Sequence, residues 1–316
     1  MVMFNMISEK EYNRYIYNTI SELIFDCGDS YQDKFVDSRA DNLPVHIREI
    51  LAEISDIYDY DMTKKFLINL DFIFTWQESI TGSVNEEAAI VAAEYIIFCC
   101  VVDKILDSDR FSKDVKRKLL QYIGIESFSY HIPLNIEETE FQCIFKLVMD
   151  IRAFLRKYAG DKADNVMKDI DKALRSECFM SFHDLQYSVK EDEQSFLIDK
   201  SVSFESSALR LGVLPYDSDP VVQADTIGEI FWLIDDICDL LDDYKSNRIN
   251  SLLYYNNPEY KIADRLIYAV NHIDFYIELF NVKIALLKQS TDNTVYEYMK
   301  EQIWWWLSGA RRISCS

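Results

Sequence analysis

The stretch Gly228 to Asp243, GEIFWLIDDICDLLDD, is apolar on nearly every side through its first turns and carries five aspartates in its second half. A helix that is hydrophobic all round is a buried helix, so the fold must enclose this segment and still accommodate its acids. At about 100° per residue, Asp235, Asp239 and Asp243 fall at about 0°, 40° and 80°, with Asp242 at about −20°. These four carboxylates share one face, whereas Asp236 points about 100° away from Asp235. Such a set repels itself and raises its own pKa values unless cations sit among the acids. Hard divalent cations take oxygen ligands, and Mg²⁺ usually comes with a phosphate-bearing substrate. The ordinary alternative is a solvated acidic face, because the chain holds 54 Asp and Glu against 33 Lys and Arg.

Only seven glycines and five prolines punctuate 316 residues, and long periodic segments run between them, which predicts an all-α chain. The periodicity predicts helices over about 8–25, 47–57, 61–79, 88–107, 111–123, 136–158 and 161–190, then 193–212, the segment around 228–243, 259–288, and a last helix with Trp304, Trp305 and Trp306. Ser8 with Glu11 reads as a capping box, and Ser83 with Glu86 as a second S-x-x-E start. Gly82 stops the third helix. The serines at 201, 203, 206 and 207 can bond back to i−4 carbonyls, predicting a kink beside Lys200. No repeat, low-complexity tract or linker interrupts the chain, and one domain over residues 1–316 is the simplest organisation.

A second buried helix, AAIVAAEYIIFCCVVDKILD, also ends in acids. Asp103 and Asp107 stand i, i+4 on one face. Carboxylates at a helix C-terminus oppose the macrodipole, so this placement is slightly costly and correspondingly informative. Ile96, Cys99 and Cys100 lie one turn below this pair, and Gly228, Phe231 and Trp232 one turn below the other set. None of the four histidines stands at a spacing that suggests a metal or nucleophile site, and His183 reads as an ordinary core or surface residue.

The net charge of −21 argues against nucleic-acid or anionic-membrane binding through the overall field, so an anionic substrate would need local cations or metal. The N-terminus lacks the pattern of a secretion signal, and the longest apolar stretch, Ala88 to Val102, is too short to span a bilayer and is broken by Glu94. The seven cysteines, Cys27, Cys99, Cys100, Cys143, Cys178, Cys238 and Cys315, form no CxxC pair and read as reduced thiols. A soluble cytoplasmic protein is expected.

In order along the chain, Asp103 and Asp107, then Lys200-Ser201, then Asp235 to Asp243 form a set that resembles the class I isoprenoid synthases, the superfamily of trans-isoprenyl diphosphate synthases and class I terpene cyclases. The resemblance covers roughly positions 83 to 250. The prenyl synthase motif G-x-x-F-Q-x-x-D-D-x-x-D is similar to Gly228-x-x-Phe231-Trp232-x-x-Asp235-Asp236-x-x-Asp239, with Trp232 in place of glutamine. The cyclase metal triad at i, i+4 and i+8 matches the spacing of Asp235, Asp239 and Asp243. The first motif, D-D-x-x-D, resembles Asp103-Lys104-Ile105-Leu106-Asp107, with lysine as its second residue. The family's K-T-x-S-L-F step before L-G resembles Lys200-Ser201-Val202-Ser203-Phe204 before Leu211-Gly212.

The resemblance implies an all-α helical bundle around a central apolar cavity. It also implies a Mg²⁺ cofactor, normally three ions, held by Asp103, Asp107, Asp235, Asp239 and Asp243 on facing walls around the diphosphate of a prenyl substrate. Lys200, Lys245 and Arg248 would add positive charge. Arg311 stands six residues after Trp305, the spacing of a cyclase arginine that closes the site, although Arg312 replaces the family's tyrosine. Ile96, Phe98, Cys99, Cys100, Phe231 and Trp232 would line the cavity, Phe98 being where a bulky residue shortens products in prenyl synthases. A homodimer is compatible with the family pattern, and neither nucleic acid nor stable membrane insertion is expected.

Two departures bear on function. The basic G-G-K-R-x-R-P segment that holds the second diphosphate in prenyl synthases corresponds here to Gly82-Ser83-Val84-Asn85-Glu86-Glu87, without a cation. The arginine pair after the first motif has become Arg110-Phe111-Ser112. The pattern therefore implies loss of chain elongation and retention of metal-assisted ionisation of one allylic diphosphate, farnesyl or geranylgeranyl, followed by cyclisation. Two other readings stay open: a prenyl transferase or diphosphate synthase with an atypical acceptor site, and a non-catalytic helical subunit of a prenyl synthase, suggested by Lys104.

Overall fold

A computed structural model describes residues 8–25, 43–58, 61–108, 110–123, 139–254 and 261–315. Within them the chain forms twelve α-helices and no strand. These are α1 (Glu9–Ile24), α2 (Val45–Tyr58), α3 (Met62–Thr81), α4 (Glu86–Asp107), α5 (Lys113–Ile123) and α6 (Thr139–Lys157), then α7 (Asp161–Phe182), α8 (Phe196–Val213), α9 (Val221–Lys245), α10 (Ile262–Asn271), α11 (Ile273–Ser290) and α12 (Asn293–Cys315).

The middle of the bundle is α9, which packs against α8 on one side and against α11, α12 and α1 on others. Its residues Ile227, Ile230, Leu233, Ile234, Ile237 and Leu240 are completely buried, each worth about 1.5–3 kcal/mol relative to exposure. In turn α8 lies against α7, α4 and α3. This chain of contacts places the C-terminal end of α4, the start of α8 and the acidic half of α9 around one region. Long-range hydrogen bonds fix the docking: Tyr12 Oη donates to the Ile237 carbonyl at 2.7 Å, and Trp76 Nε1 to the Leu209 carbonyl at 3.0 Å.

Gly228 is what lets α8 and α9 cross so closely. A Cβ at this position would come within 2.7 Å of both the Cα and the carbonyl oxygen of Val202. Two turns beyond Gly228 on α9 stands Asp235, and two residues before Val202 on α8 stands Lys200. The close crossing therefore sets the distance between these two charged side chains.

Several element boundaries differ from the sequence expectation. The capping box at Ser8 and Glu11 forms, and Gly82 closes α3 at φ 69°. However, Asn85 rather than Ser83 caps α4, its side chain accepting from the Ala88 amide at 2.9 Å. Helix α7 stops at Phe182 instead of continuing to 190, because the Asp184 carboxylate accepts from the Gln186 amide and the local turn competes with the helix. The 259–288 segment divides at His272 into α10 and α11. In α8, Ser207 Oγ back-bonds to the Ser203 carbonyl at 2.6 Å, yet the helix is continuous from Phe196 to Val213.

Buried Arg210 ties α8 to α7 and to the loop before α9. Its Nε and Nη2 donate to the two carboxylate oxygens of Asp219 at 2.9 and 3.1 Å, and Nη1 donates to Asp169. Removing one partner of a buried ion pair leaves the other charges uncompensated. The variant Arg210→Ala should lose about 3–5 kcal/mol of stability, measured as a drop in the midpoint of urea unfolding.

Candidate active site

Lys200 is the centre of the site. Its Nζ lies 3.1 Å from Asp103 Oδ1 on α4 and 3.0 Å from Glu177 Oε2 on α7. Burial opposes the ammonium charge, but Glu177 and Asp103, with Asp235 beyond them, outweigh that and hold Lys200 well above the usual lysine range. Burial pushes Glu177 upward while Lys200 pulls it down. Ser181 Oγ donates to its other oxygen at 3.1 Å. Lys116 Nζ, from α5, donates to the Leu106 carbonyl at 2.6 Å and so answers the exposed carbonyl end of α4.

Across from Asp103 stands Asp235. Trp306 Nε1 on α12 donates to Asp235 Oδ1 at 3.0 Å, and the Trp306 ring packs on Phe231 with centroids 5.3 Å apart. Burial raises the Asp235 pKa; Trp306, Lys200 and Arg248 lower it, and Asp103 raises it. The coupling of Asp103, Lys200 and Asp235 marks the two acidic helices as walls of the same site.

The neighbouring acid, Asp236, is turned away and spoken for. Its Oδ2 accepts from Trp232 Nε1 at 2.9 Å, from the Ser251 amide at 3.2 Å and from Ser251 Oγ. Burial, then Asp235, pushes it up to about 8. Asp236 therefore does not share the face of Asp235, Asp239 and Asp243. Asp239 is open to solvent, yet desolvation by the surrounding walls and the charges of Asp235, Asp243 and Asp242 push it up to about 7, against Arg248. Asp243 is raised by burial and held down by Asn250 and Arg248.

A tight return after α9 supplies those last contacts. Asn247 takes a positive φ of 58°, which asparagine tolerates, and the chain doubles back on the helix end. Arg248 Nε then lies 3.0 Å from Asp243 Oδ1. Fully buried Asn250 donates through Nδ2 to Asp243 Oδ2 and to the Asp236 carbonyl, both at 3.0 Å, and its Oδ1 accepts from the Leu252 amide at 3.1 Å.

Lys245 points to α1 and pairs with Glu9, away from Lys200. Asp107 is the last residue of α4, and Arg311 lies in α12; both side chains fall outside the described residues. Trp305 is 62% exposed, so the tryptophan facing the site is Trp306. Ile96, Phe98, Phe231 and Trp232 are buried, and Cys99 and Cys100 half-buried. The Trp232 indole is committed to Asp236 and Ser251. Burial pushes the thiols of Cys99 and Cys238 well above the usual range, which makes them inert.

Glu177, Asn250, Ser251 and Trp306 join the site from outside the sequence motifs. A readable signal existed for Glu177: it continues the buried stripe Val166, Ile170, Ala173 at helical spacing, and an acid on an apolar stripe asks for a partner.

The donor set of Asp103, Asp235, Asp239 and Asp243 is all oxygen, which suits a hard cation. Burial is the first cause of the raised pKa of Asp235 and Asp239, and the neighbouring acids add a repulsion that a divalent ion would remove. The three acids of α9 do not bring one oxygen each within 4.8 Å of one another, so by themselves they form no closed cage.

A pH effect follows from Asp236. Its carboxyl sits near 4 unfolded and about 8 folded, so the folded state holds the extra proton between those values. Its contribution is fully present below about pH 4 and is lost as pH rises towards and through 8. In EDTA, Asp236→Asn should therefore gain in melting temperature relative to wild type from pH 5 to 8, the difference levelling off above that. A constant difference across the range would rule this out.

No protein-family model and no curated protein matches the sequence. Among solved structures, 2-methylisoborneol synthase from Streptomyces coelicolor A3(2) is similar at 10% identity and TM-score 0.49, covering 92% of this chain and 93% of that one. A geranylgeranyl pyrophosphate synthetase from the archaeon Geoglobus acetivorans is similar at 15% identity and TM-score 0.48, covering 95% of this chain and 97% of that one.

Proposed function

We propose that this chain is a class I terpene synthase, which ionises one allylic prenyl diphosphate, farnesyl or geranylgeranyl, and cyclises the resulting carbocation. The observation that carries the reading is Lys200. It is a half-buried ammonium 3.1 Å from Asp103, electrostatically coupled to Asp235, with Asp239 and Asp243 further along the same face of α9. A cation sandwiched between two acidic walls is arranged to receive a polyanion together with metal.

Mg²⁺ held by Asp103, Asp107, Asp235, Asp239 and Asp243 would supply Lewis-acid stabilisation of the departing diphosphate. Lys200 contributes a fixed positive charge where negative charge develops on the leaving group. Glu177 and Ser181 orient Lys200, and Arg248 brings a guanidinium to the Asp243 end of the same face. Asn250 holds Asp243 while leaving one of its oxygens to Arg248. Phe231 and Trp306 wall the site beside Asp235 and keep water from a carbocation. Their ring faces can stabilise it by about 2 kcal/mol each once desolvated.

The segment that would hold a second diphosphate has no cation of its own, and the lysine that reaches it, Lys157 of α6, is paired with an acid of the segment. Glu87 there is already engaged, its Oε2 2.5 Å from Lys157 Nζ. Product analysis by mass after incubation with Mg²⁺ and geranyl, farnesyl or geranylgeranyl diphosphate, with and without isopentenyl diphosphate, tests the assignment. Hydrocarbon or alcohol product without the second substrate is expected. A longer diphosphate formed only when isopentenyl diphosphate is present would replace this reading with a prenyl synthase.

A further inference from the structure

On the opposite face of α4 lies a second cluster of ligand-type side chains that the proposed chemistry does not use. Glu94 precedes Asp103 by nine residues, which is about 180° around the helix and about 13 Å along it. Glu94 is 1% exposed, and its Oε1 has no hydrogen-bond partner. His46, in the first turn of α2, and Asp150, on α6, converge on it: one ligand atom from each of the three residues lies within 4.8 Å of the others. His46 Nε2 is 3.8 Å from Asp150 Oδ2.

The frame around the cluster is built. Glu53 of α2 accepts from Lys146 Nζ at 3.0 Å and from Cys143 Sγ at 3.2 Å, both on α6, which fixes α2 against α6. Helix α6 packs directly on α4. Left as it stands, Glu94 is a buried carboxyl whose surroundings all disfavour its charge: burial first, then Asp150, push it up to about 9. An unpartnered buried carboxyl costs stability, and a cation bound between it and Asp150 would reverse the sign of that interaction.

We propose that His46, Glu94 and Asp150 form a binding site for a borderline divalent metal ion, Zn²⁺ being the best fit, that clasps α2 to α4 and α6. One imidazole nitrogen with two carboxylate oxygens suits Zn²⁺ better than Mg²⁺ or Ca²⁺, which prefer oxygen alone. Ligands of a tetrahedral ion at about 2.0–2.2 Å stand roughly 3.3–3.6 Å apart, so the residues need only close slightly. The His46 side chain is 60% exposed and that of Asp150 40%, which gives the ion an entry path and leaves its fourth position to water. The three ligands come from helices far apart in sequence, so binding would add its free energy to the docking of α2.

The test is calorimetric titration of Zn²⁺ into wild type, His46→Ala and Glu94→Gln, in excess Mg²⁺ to occupy oxygen-only sites, with melting temperatures recorded in parallel. Wild type should bind about one equivalent more than either variant and gain several degrees on Zn²⁺ addition, a gain absent from His46→Ala. In EDTA, Glu94→Gln should melt no lower than wild type, because it replaces a carboxyl with a neutral isostere. Equal Zn²⁺ binding and equal thermal gain in wild type and His46→Ala would overturn the proposal. So would failure of wild type to bind Zn²⁺ at all. His46 is exposed, so its variant folds whether or not Glu94→Gln does, and neither readout depends on turnover of a prenyl diphosphate.

Discussion

Replacing Asp239 with asparagine is expected to lower turnover of a prenyl diphosphate by about 10²–10³-fold or more while leaving the metal-free protein as stable as wild type, or more so. Both halves of this expectation have the same cause. Asp239 faces solvent within a ring of like charges, and desolvation with Asp235, Asp243 and Asp242 has already pushed it up to about 7. Taking its charge away relieves repulsion in the absence of metal and removes a ligand in its presence. Thermal melts in EDTA and steady-state kinetics in saturating Mg²⁺ separate the two effects. A structural aspartate would behave in the opposite way, losing stability on neutralisation with little effect on rate.

The second large effect belongs to Gly228. The variant Gly228→Ala places a methyl group 2.7 Å from the Val202 backbone, where no side-chain rotation can relieve the clash, so α8 and α9 must separate. Overpacking of this kind costs about 1–3 kcal/mol. A displacement of about 1 Å between Lys200 and Asp235 would add a loss of about 10²-fold in rate. Gly212 provides the contrast. A Cβ there meets Cγ2 of fully buried, β-branched Ile73 at 2.8 Å, so Gly212→Ala should also lose stability, but the clash lies twelve residues along α8 from Lys200 and should affect rate less. If Gly228→Ala matched wild type in denaturant midpoint and turnover, the close crossing would not be what sets the site.

The parts of this architecture that are local in origin are legible in the sequence. Helical periodicity alone puts Asp235, Asp239 and Asp243 on one face and turns Asp236 off it, and the structure gives Asp236 its separate partners in Trp232 and Ser251. The Ser8 capping box and the Gly82 stop are likewise encoded within a few residues. What the sequence does not display is what tertiary crossing creates. Glu177 meets Lys200 only because α7 packs on α8, and Trp306 reaches Asp235 only because α12 packs on α9. Asn250 acts through a turn whose positive φ at Asn247 has no periodic signature. The assignment of Lys245 to the diphosphate illustrates the same limit from the other side. It is near the acids in sequence, but the last turn of α9 aims it at Glu9 of α1. Histidine spacing along the chain could not reveal His46 beside Glu94 and Asp150, since three separate helices supply them.

The paired acidic walls with Lys200 between them are held to be a site where a single prenyl diphosphate is ionised. The most direct measurement is release of inorganic diphosphate from farnesyl and geranylgeranyl diphosphate, each supplied alone with Mg²⁺ to the purified protein. Release is expected with at least one of them in the absence of any second substrate, abolished by EDTA and strongly reduced in Asp239→Asn. No release from either, or release that requires isopentenyl diphosphate, would contradict it.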